Sequence, residues 1–213
     1  MIKVLSFDVD GTLVDDRFAG NFWREGVPAL YAKKEGIGIT EAKEYVWERY
    51  NEVGECDLRW YLPEYWFDIF GIPESPEDLI SEYSGEVDIF SEVPGVLDEL
   101  SKEYMLIAVS NAPREFLEES LRELCPYFTH TFSATTDFKM VKNNPDFYLG
   151  VFDILRIGPS EVVHVGDHFE FDYTVPRNAG ATSYFLDRSA KKDGEHVLHN
   201  LGELKGLLAF LGI

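Results

Sequence analysis

Cysteine is almost missing from this chain. Cys56 and Cys125 are the two in 213 residues, with no Cys-x-x-Cys pair and no Cys/His spacing of a zinc ligand set. That argues against a disulfide framework or a zinc module, and the two thiols read as buried side chains of a reducing compartment. Positive charge is also scarce: 19 Lys and Arg stand against 39 Asp and Glu, a formal charge of -20. Nucleic acid and anionic membrane surfaces need clustered cations, so neither is expected as a partner. No apolar run approaches the roughly 18 to 20 residues of a membrane span, and Asp8 arrives before a signal-peptide core could form, so a cytoplasmic protein is expected. There is no long internal repeat, low-complexity tract or block of like charge. What is present is 45% hydrophobic and 15% aromatic, the composition of a folded globular chain. Its length suits one generous domain or a core with a smaller insert, and carries no signal for oligomeric state.

Short apolar runs alternate with helical patterns from about residue 88 onward. Residues 105–112, 129–136, 162–168 and 182–187 read as strands, and Val4-Leu5-Ser6-Phe7 as an earlier one. Helices are predicted for 94–102, 113–124 and 145–156, with Asn144 capping the last and Gly158 and Gly180 as helix stops. Leu201, Leu204, Leu207, Leu208 and Leu211 mark a closing amphipathic helix. This alternation predicts an α/β fold, a doubly wound parallel sheet with helices on both faces. Residues 16–87 show no strand pattern. Thr40 is expected to cap a helix ending at Gly54, Ser75 another ending at Gly85, and helical stretches at 18–31 and 58–70 are interrupted near Gly26, Pro28 and Pro63. The expected organisation is therefore a core of residues 1–15 and 88–213 with an all-helical insert, 16–87, after the first strand.

The stretch "VLSFDVDGTLVDD" ends a strand in two aspartates, Asp8 and Asp10, on one side of the chain. Two such carboxylates repel by about 4 kcal/mol at an effective dielectric of ~20, so a cation is expected between them. In a doubly wound sheet, chemistry collects beyond the carboxyl ends of the strands. Ser110 and Asn111 follow the second predicted strand, and Asp167 and Asp172 the fourth, so these residues converge with Asp8 and Asp10. Lys142, before the Asn144-Pro145 helix start, is placed to reach them; Lys139 is its rival.

These segments, "FDVDGT", "AVSNA", "VKNNPDFY" and "VGDHFEFD", resemble the four motifs of the haloacid dehalogenase-like hydrolase superfamily. The resemblance covers the whole chain, because the helical insert is similar to the type 1 cap of that family. Asn143 stands where a proline is common, and His168 where a small residue is more usual. The resemblance implies Asp8 as a nucleophile forming an aspartyl-phosphate and Asp10 as general acid and base, which requires a raised pKa. It implies Mg2+ held by Asp8, the Asp10 carbonyl and Asp167, with Asp172 orienting the shell. Ser110, Asn111 and Lys142 would bind the phosphoryl oxygens. Gly11 would permit the sharp turn and Thr12 would support it.

The implied activity is a Mg2+-dependent phosphatase acting on a small phosphomonoester. A 2-haloacid dehalogenase would use the same aspartate without metal or second acid; a phosphomutase, a phosphonate-cleaving relative, a phosphoacceptor and a non-enzymatic scaffold are further alternatives. In the insert, Arg17, Asn21, Arg24 and Arg59 are candidate substrate contacts. Its aromatics, among them Trp23, Tyr31, Tyr45, Trp47, Tyr50, Trp60, Tyr61, Tyr65 and Trp66, are expected to fill the interior of a helical bundle rather than bind a ring.

Overall fold

In a computed structural model, which describes residues 1–210, six parallel strands form one sheet in the order β3-β2-β1-β4-β5-β6. They are β1 (Val4–Phe7), β2 (Met105–Ser110), β3 (His130–Ser133), β4 (Val162–Gly166), β5 (Thr182–Leu186) and β6 (Val197–Leu198). The strand order reverses around β1, so the carboxyl ends of β1, β2 and β4 lie side by side. The doubly wound α/β expectation is met. β6 has no counterpart in the sequence reading, since two residues carry no periodic signal.

Side-chain alternation divides the core into two layers. Leu5, Phe7, Leu106, Ala108, Val163 and Val165 pack on one face, with Leu97 and Leu100 of the helix Val93–Leu100, Leu204 and Leu208 of the helix Glu203–Phe210, and Leu201 from the turn before it in that layer or at its edge. Val4, Ile107, Val109 and Val162 pack on the other, against Phe147 and Val151 of the helix Pro145–Leu155. Residues 17–86 hold no strand and build a third apolar cluster around Phe18, Phe22, Val46, Trp66, Phe67 and Phe70. Phe116, from the core helix Arg114–Ser120, inserts into this cluster and packs against Phe22 at 4.8 Å between ring centroids.

Local differences from the sequence reading have identifiable causes. The helix Ile39–Val53 begins from Gly38 in extended backbone, so Thr40 lies inside it rather than capping it. Ser75 does cap Pro76–Tyr83, accepting the Asp78 amide at 3.1 Å. The interruption near Gly26 is a π-helical turn, Phe22–Gly26, and Pro63 separates the 3-10 turn Leu58–Tyr61 from the helix Pro63–Phe70. The strand at 129–136 stops at Ser133, whose hydroxyl accepts the Thr136 amide and starts a short helix. Arg156, with φ 55, ends the helix before Gly158, which instead precedes a 3-10 turn. Cys56 and Cys125 are exposed, not buried, because both fall in surface turns that no element covers. Leu211 lies outside the described residues. No helix among the described residues is long and apolar enough to cross a membrane.

Candidate active site

β1 delivers Asp8 to the sheet's carboxyl edge, where its amide donates to the Val165 carbonyl at 2.9 Å. The chain then turns through Gly11, at φ +81. A side chain there would be doubly excluded: a Cβ would sit 2.1 Å from Asp167 Oδ2, and L-residues avoid this backbone region. Thr12 donates to Asp8 Oδ2 at 3.2 Å, and the Ser120 hydroxyl reaches Asp10 Oδ1 at 3.5 Å. Gly166, at the end of β4, gives Asp172 the same close passage, since a Cβ there would lie 2.4 Å from its Cγ.

Lys142 places a cation between Asp8 and Asp172, not between Asp8 and Asp10. Its side chain is 2% exposed, and Nζ donates to Asp8 Oδ1, to Asp172 Oδ1 at 2.8 Å and to the Val109 carbonyl at 3.4 Å. Lys139 is exposed and left-handed in backbone, and does not enter the site. The Lys142 amide donates to Asn111 Oδ1 at 2.8 Å, which fixes the loop carrying the lysine to the end of β2. Ser110 Oγ accepts the Ala112 amide at 2.9 Å, leaving its own proton free to donate.

Beneath Asp172 lies a buried set of polar contacts, which the sequence reading missed. Ser6 and His164 are paired across β1 and β4, on a face otherwise apolar. Ser6 Oγ bonds His164 Nδ1 at 2.9 Å, and His164 Nε2 lies 3.2 Å from Asp172 Oδ1 and 3.3 Å from the Tyr148 hydroxyl. The His168 amide donates to Asp172 Oδ2 at 3.0 Å. The signal was present as two polar residues interrupting the runs "VLSF" and "VVHVG".

One ammonium does not neutralise this site. Desolvation raises the Asp10 carboxyl to about 7, helped by the charge of Asp8. Solvent reaches Asp167 from the cavity, yet the surrounding depression desolvates it enough, with the charges of Asp8 and Asp172, to lift it to about 8. Burial likewise raises Asp8 despite Lys142. Burial opposes ionisation of Asp172 too, but Lys142 and the hydrogen bond from His164 together hold it below the usual carboxylate range. Oxygens of Asp8, Asp167 and Asp172 lie within 4.8 Å of one another. Asp167 makes no hydrogen bond among the described residues, and an all-oxygen set with this excess of negative charge fits a hard divalent cation. Asp172, with both oxygens already bonded, fits as an orienting group.

The cavity over these residues is about 500 Å³ and is bounded by both regions of the chain. Of the candidate contacts from the insert, only Arg24 lines it, paired with Asp16 at 2.6 Å. Arg17 is held by Asp15 and Asp88, Asn21 by Glu86, and Arg59 by Asp57, because acidic neighbours capture each of them away from the cavity. The aromatic expectation is corrected in part: Trp66 is 1% exposed interior packing, but Trp47 is 49% exposed and Tyr45 40%. Trp23, Trp47, Tyr50, Trp60 and Tyr61 line the cavity. Three polar contacts join the 54–61 segment to the sheet's carboxyl edge: Asn111 Nδ2 donates to the Tyr61 hydroxyl at 3.2 Å, Asn143 Nδ2 to the Cys56 carbonyl at 3.1 Å, and His168 Nε2 lies 3.4 Å from Glu55.

Comparison with known proteins agrees with this arrangement. The chain is 35% identical over 71 residues to the GMP/IMP nucleotidase YrfG of Escherichia coli (strain K12), a match covering 33% of this chain and 32% of that protein. It therefore spans about a third of the length of that curated relative. The crystal structure of an HAD phosphatase from Thermococcus onnurineus superposes with a TM-score of 0.86 at 23% identity, over 98% of each chain. A 2-haloacid dehalogenase from Pseudomonas syringae pv. Tomato DC3000 gives 0.73 at 22% identity, over 99% of this chain and 100% of that one. At these identities the two structures speak for the fold. A haloacid dehalogenase-like hydrolase model matches residues 2–180, most of the sequence, and the chain belongs to the haloacid dehalogenase-like hydrolase family.

Proposed function

We propose that the protein is a Mg2+-dependent phosphatase of small phosphomonoesters, working through an aspartyl-phosphate on Asp8. The observation that carries this reading is Asp10, a second, half-buried carboxyl that bonds the Ser120 hydroxyl and is raised to about 7 beside Asp8. Displacing halide from carbon needs no such acid, whereas expelling an alkoxide does. The nucleotidase match supports the same chemistry, over a third of the chain.

In the first step an Asp8 oxygen forms a bond to phosphorus, the ester P–O bond breaks, and Asp10 gives its proton to the departing alkoxide. In the second, water attacks phosphorus and loses its proton to Asp10. The acyl-phosphate P–O bond then breaks, and phosphate and free Asp8 are restored. Lys142 keeps Asp8 aimed and offsets charge on the phosphoryl oxygens, while the Ser110 hydroxyl and the region of Asn111 grip them. Asp8 and Asp167 would hold Mg2+ with Asp172 behind them; the ion supplies positive charge that favours ionised carboxylates and neutralises the phosphoryl group. Residues 16–87 would serve as a cap that excludes water, its 54–61 segment closing on Asn111, Asn143 and His168.

The test is hydrolysis of a generic aryl phosphate by wild type and Asp8→Asn, each with Mg2+ and with EDTA. The expected result is activity that requires both, falling by at least about 10⁴-fold in the variant. Activity that survives EDTA or the loss of Asp8 would overturn the mechanism. Inactivity on phosphate esters together with halide release from 2-haloacids would replace it with the dehalogenase reading.

A further inference from the structure

The aromatic wall of the cavity is more than interior packing. Trp66 fills the interior of the helical segment, and its indole N–H donates to the Trp60 carbonyl at 3.1 Å. Trp23, Trp47 and Trp60 are different: they line the same cavity as Asp8, and their indole N–H groups have no hydrogen-bond partner among the described residues. Trp47 remains 49% exposed, an apolar ring left in water at the cavity wall. Phe116 adds a ring from the core side, stacked on Trp23 at 6.0 Å with 6° between planes. A cavity of about 500 Å³ is sized for a whole small molecule rather than a phosphoryl group alone.

Charge narrows the class further. Beyond Lys142, the guanidinium lining this cavity is that of Arg24, and it is paired with Asp16. Glu55, which faces His168, adds another carboxylate to the wall. A second phosphate or a carboxylate on the substrate would meet these acids without a free Lys or Arg among the described residues. From this lining we propose that the preferred substrate is a phosphomonoester whose alcohol portion carries a planar, uncharged ring, stacked on the indoles of the helical segment. The proposal rests on the phosphatase reading and assigns its substrate class.

Inosine 5′-monophosphate and ribose 5-phosphate present the same primary phosphate ester and differ by the base, so their comparison isolates the ring. The wild type is expected to favour the nucleotide by about tenfold or more in kcat/KM, within the range of base–aromatic stacking. Trp60→Leu should bring that ratio towards one by raising KM for the nucleotide. Equal loss on both substrates would mean a structural role and overturn the assignment. Benzyl phosphate, with an uncharged ring on the ester carbon, distinguishes a near ring site from one a sugar's length away. Binding to Asp8→Asn, followed by indole fluorescence, reads the same preference without turnover. If no phosphomonoester is hydrolysed, the phosphatase reading fails by itself. If ribose 5-phosphate is hydrolysed or bound as well as the nucleotide, the ring assignment fails and the phosphatase reading stands.

Discussion

The two regions that meet at the cavity use charge in opposite ways. On the sheet edge, Asp8, Lys142 and Asp172 are each at most 7% exposed and satisfy one another, with His164, Ser6 and Tyr148 locking Asp172 from below. In the helical segment, Arg24, Lys43 and Arg59 form pairs whose side chains are 40% to 53% exposed on the cationic side. Solvent-exposed pairs of that kind contribute about 0 to 1 kcal/mol, whereas removing one member of a buried pair costs about 3 to 5 kcal/mol. On the proposed reading, the chemistry would sit where Asp8, Lys142 and Asp172 hold one another, and recognition on rings that water and ligand can reach.

Lys142→Met attacks the core side of this contrast most directly. It should lower unfolding stability by about 3 kcal/mol in urea titrations and cut phosphatase activity on the order of 10²-fold, since Asp8 and Asp172 lose their shared cation. Arg24→Met, on the helical side, should change stability by less than about 1 kcal/mol. Comparable losses in the two would dissolve the distinction. A pair of glycines sharpens it. Gly11 and Gly36 are both left-handed, but a Cβ at Gly11 meets Asp167 at 2.1 Å while one at Gly36 meets nothing within 4 Å. Both alanine variants should lose about 1 to 2 kcal/mol of stability from backbone strain. Only Gly11→Ala should also lose roughly 10- to 100-fold in metal affinity or activity, because it displaces a carboxylate of the cluster.

The same contrast governed what could be read in advance. Strand ends are legible because period-two apolar runs fix where a side chain leaves the sheet, so Asp8, Ser110, Asn111 and Asp167 could be brought together from sequence. Ser6 and His164 were legible in principle, as polar breaks in two paired apolar runs. The contacts of Tyr61 with Asn111, Cys56 with Asn143 and Glu55 with His168 were not, since they join distant residues without periodicity. The insert's rings could be assigned to helices but not divided between interior and cavity. That division depends on how the helices pack around Phe116.

Metal binding offers a smaller effect with a definite sign. Asp167 at about 8 and Asp10 at about 7 lie above the ordinary carboxyl value of 3.8, so the metal-free folded protein holds protons that the unfolded chain has released. Their contribution to stability is complete below about pH 4 and is lost as pH rises through the raised values. A divalent cation requires the ionised carboxylates, so proton and metal compete. Mg2+ should therefore raise the thermal midpoint more at pH 8 than at pH 6, by about 5 °C or more near 100-fold saturation. Asp167→Asn should remove most of the difference. An increment equal at both pH values would mean that this cluster is not where the ion binds.

The finest cut falls on Tyr61, where the two regions touch. Its hydroxyl accepts from Asn111 Nδ2 at 3.2 Å and lies 3.0 Å from the Glu55 carbonyl, to which it donates. Burial raises the Tyr61 phenol above its ordinary value, so the hydroxyl keeps its proton through the neutral range. Tyr61→Phe deletes both bonds but leaves Asn111 Oδ1 still accepting from the Lys142 amide, so the phosphate end keeps its geometry. Stability should fall by about 1 kcal/mol. If the helical segment acts in recognition, KM should rise several-fold with kcat nearly unchanged, the pattern of binding lost equally from ground and transition states. A fall in kcat at constant KM would instead assign the Tyr61 hydroxyl to the chemical step, and the division between a reacting core and a recognising helical segment would have to be redrawn through this residue.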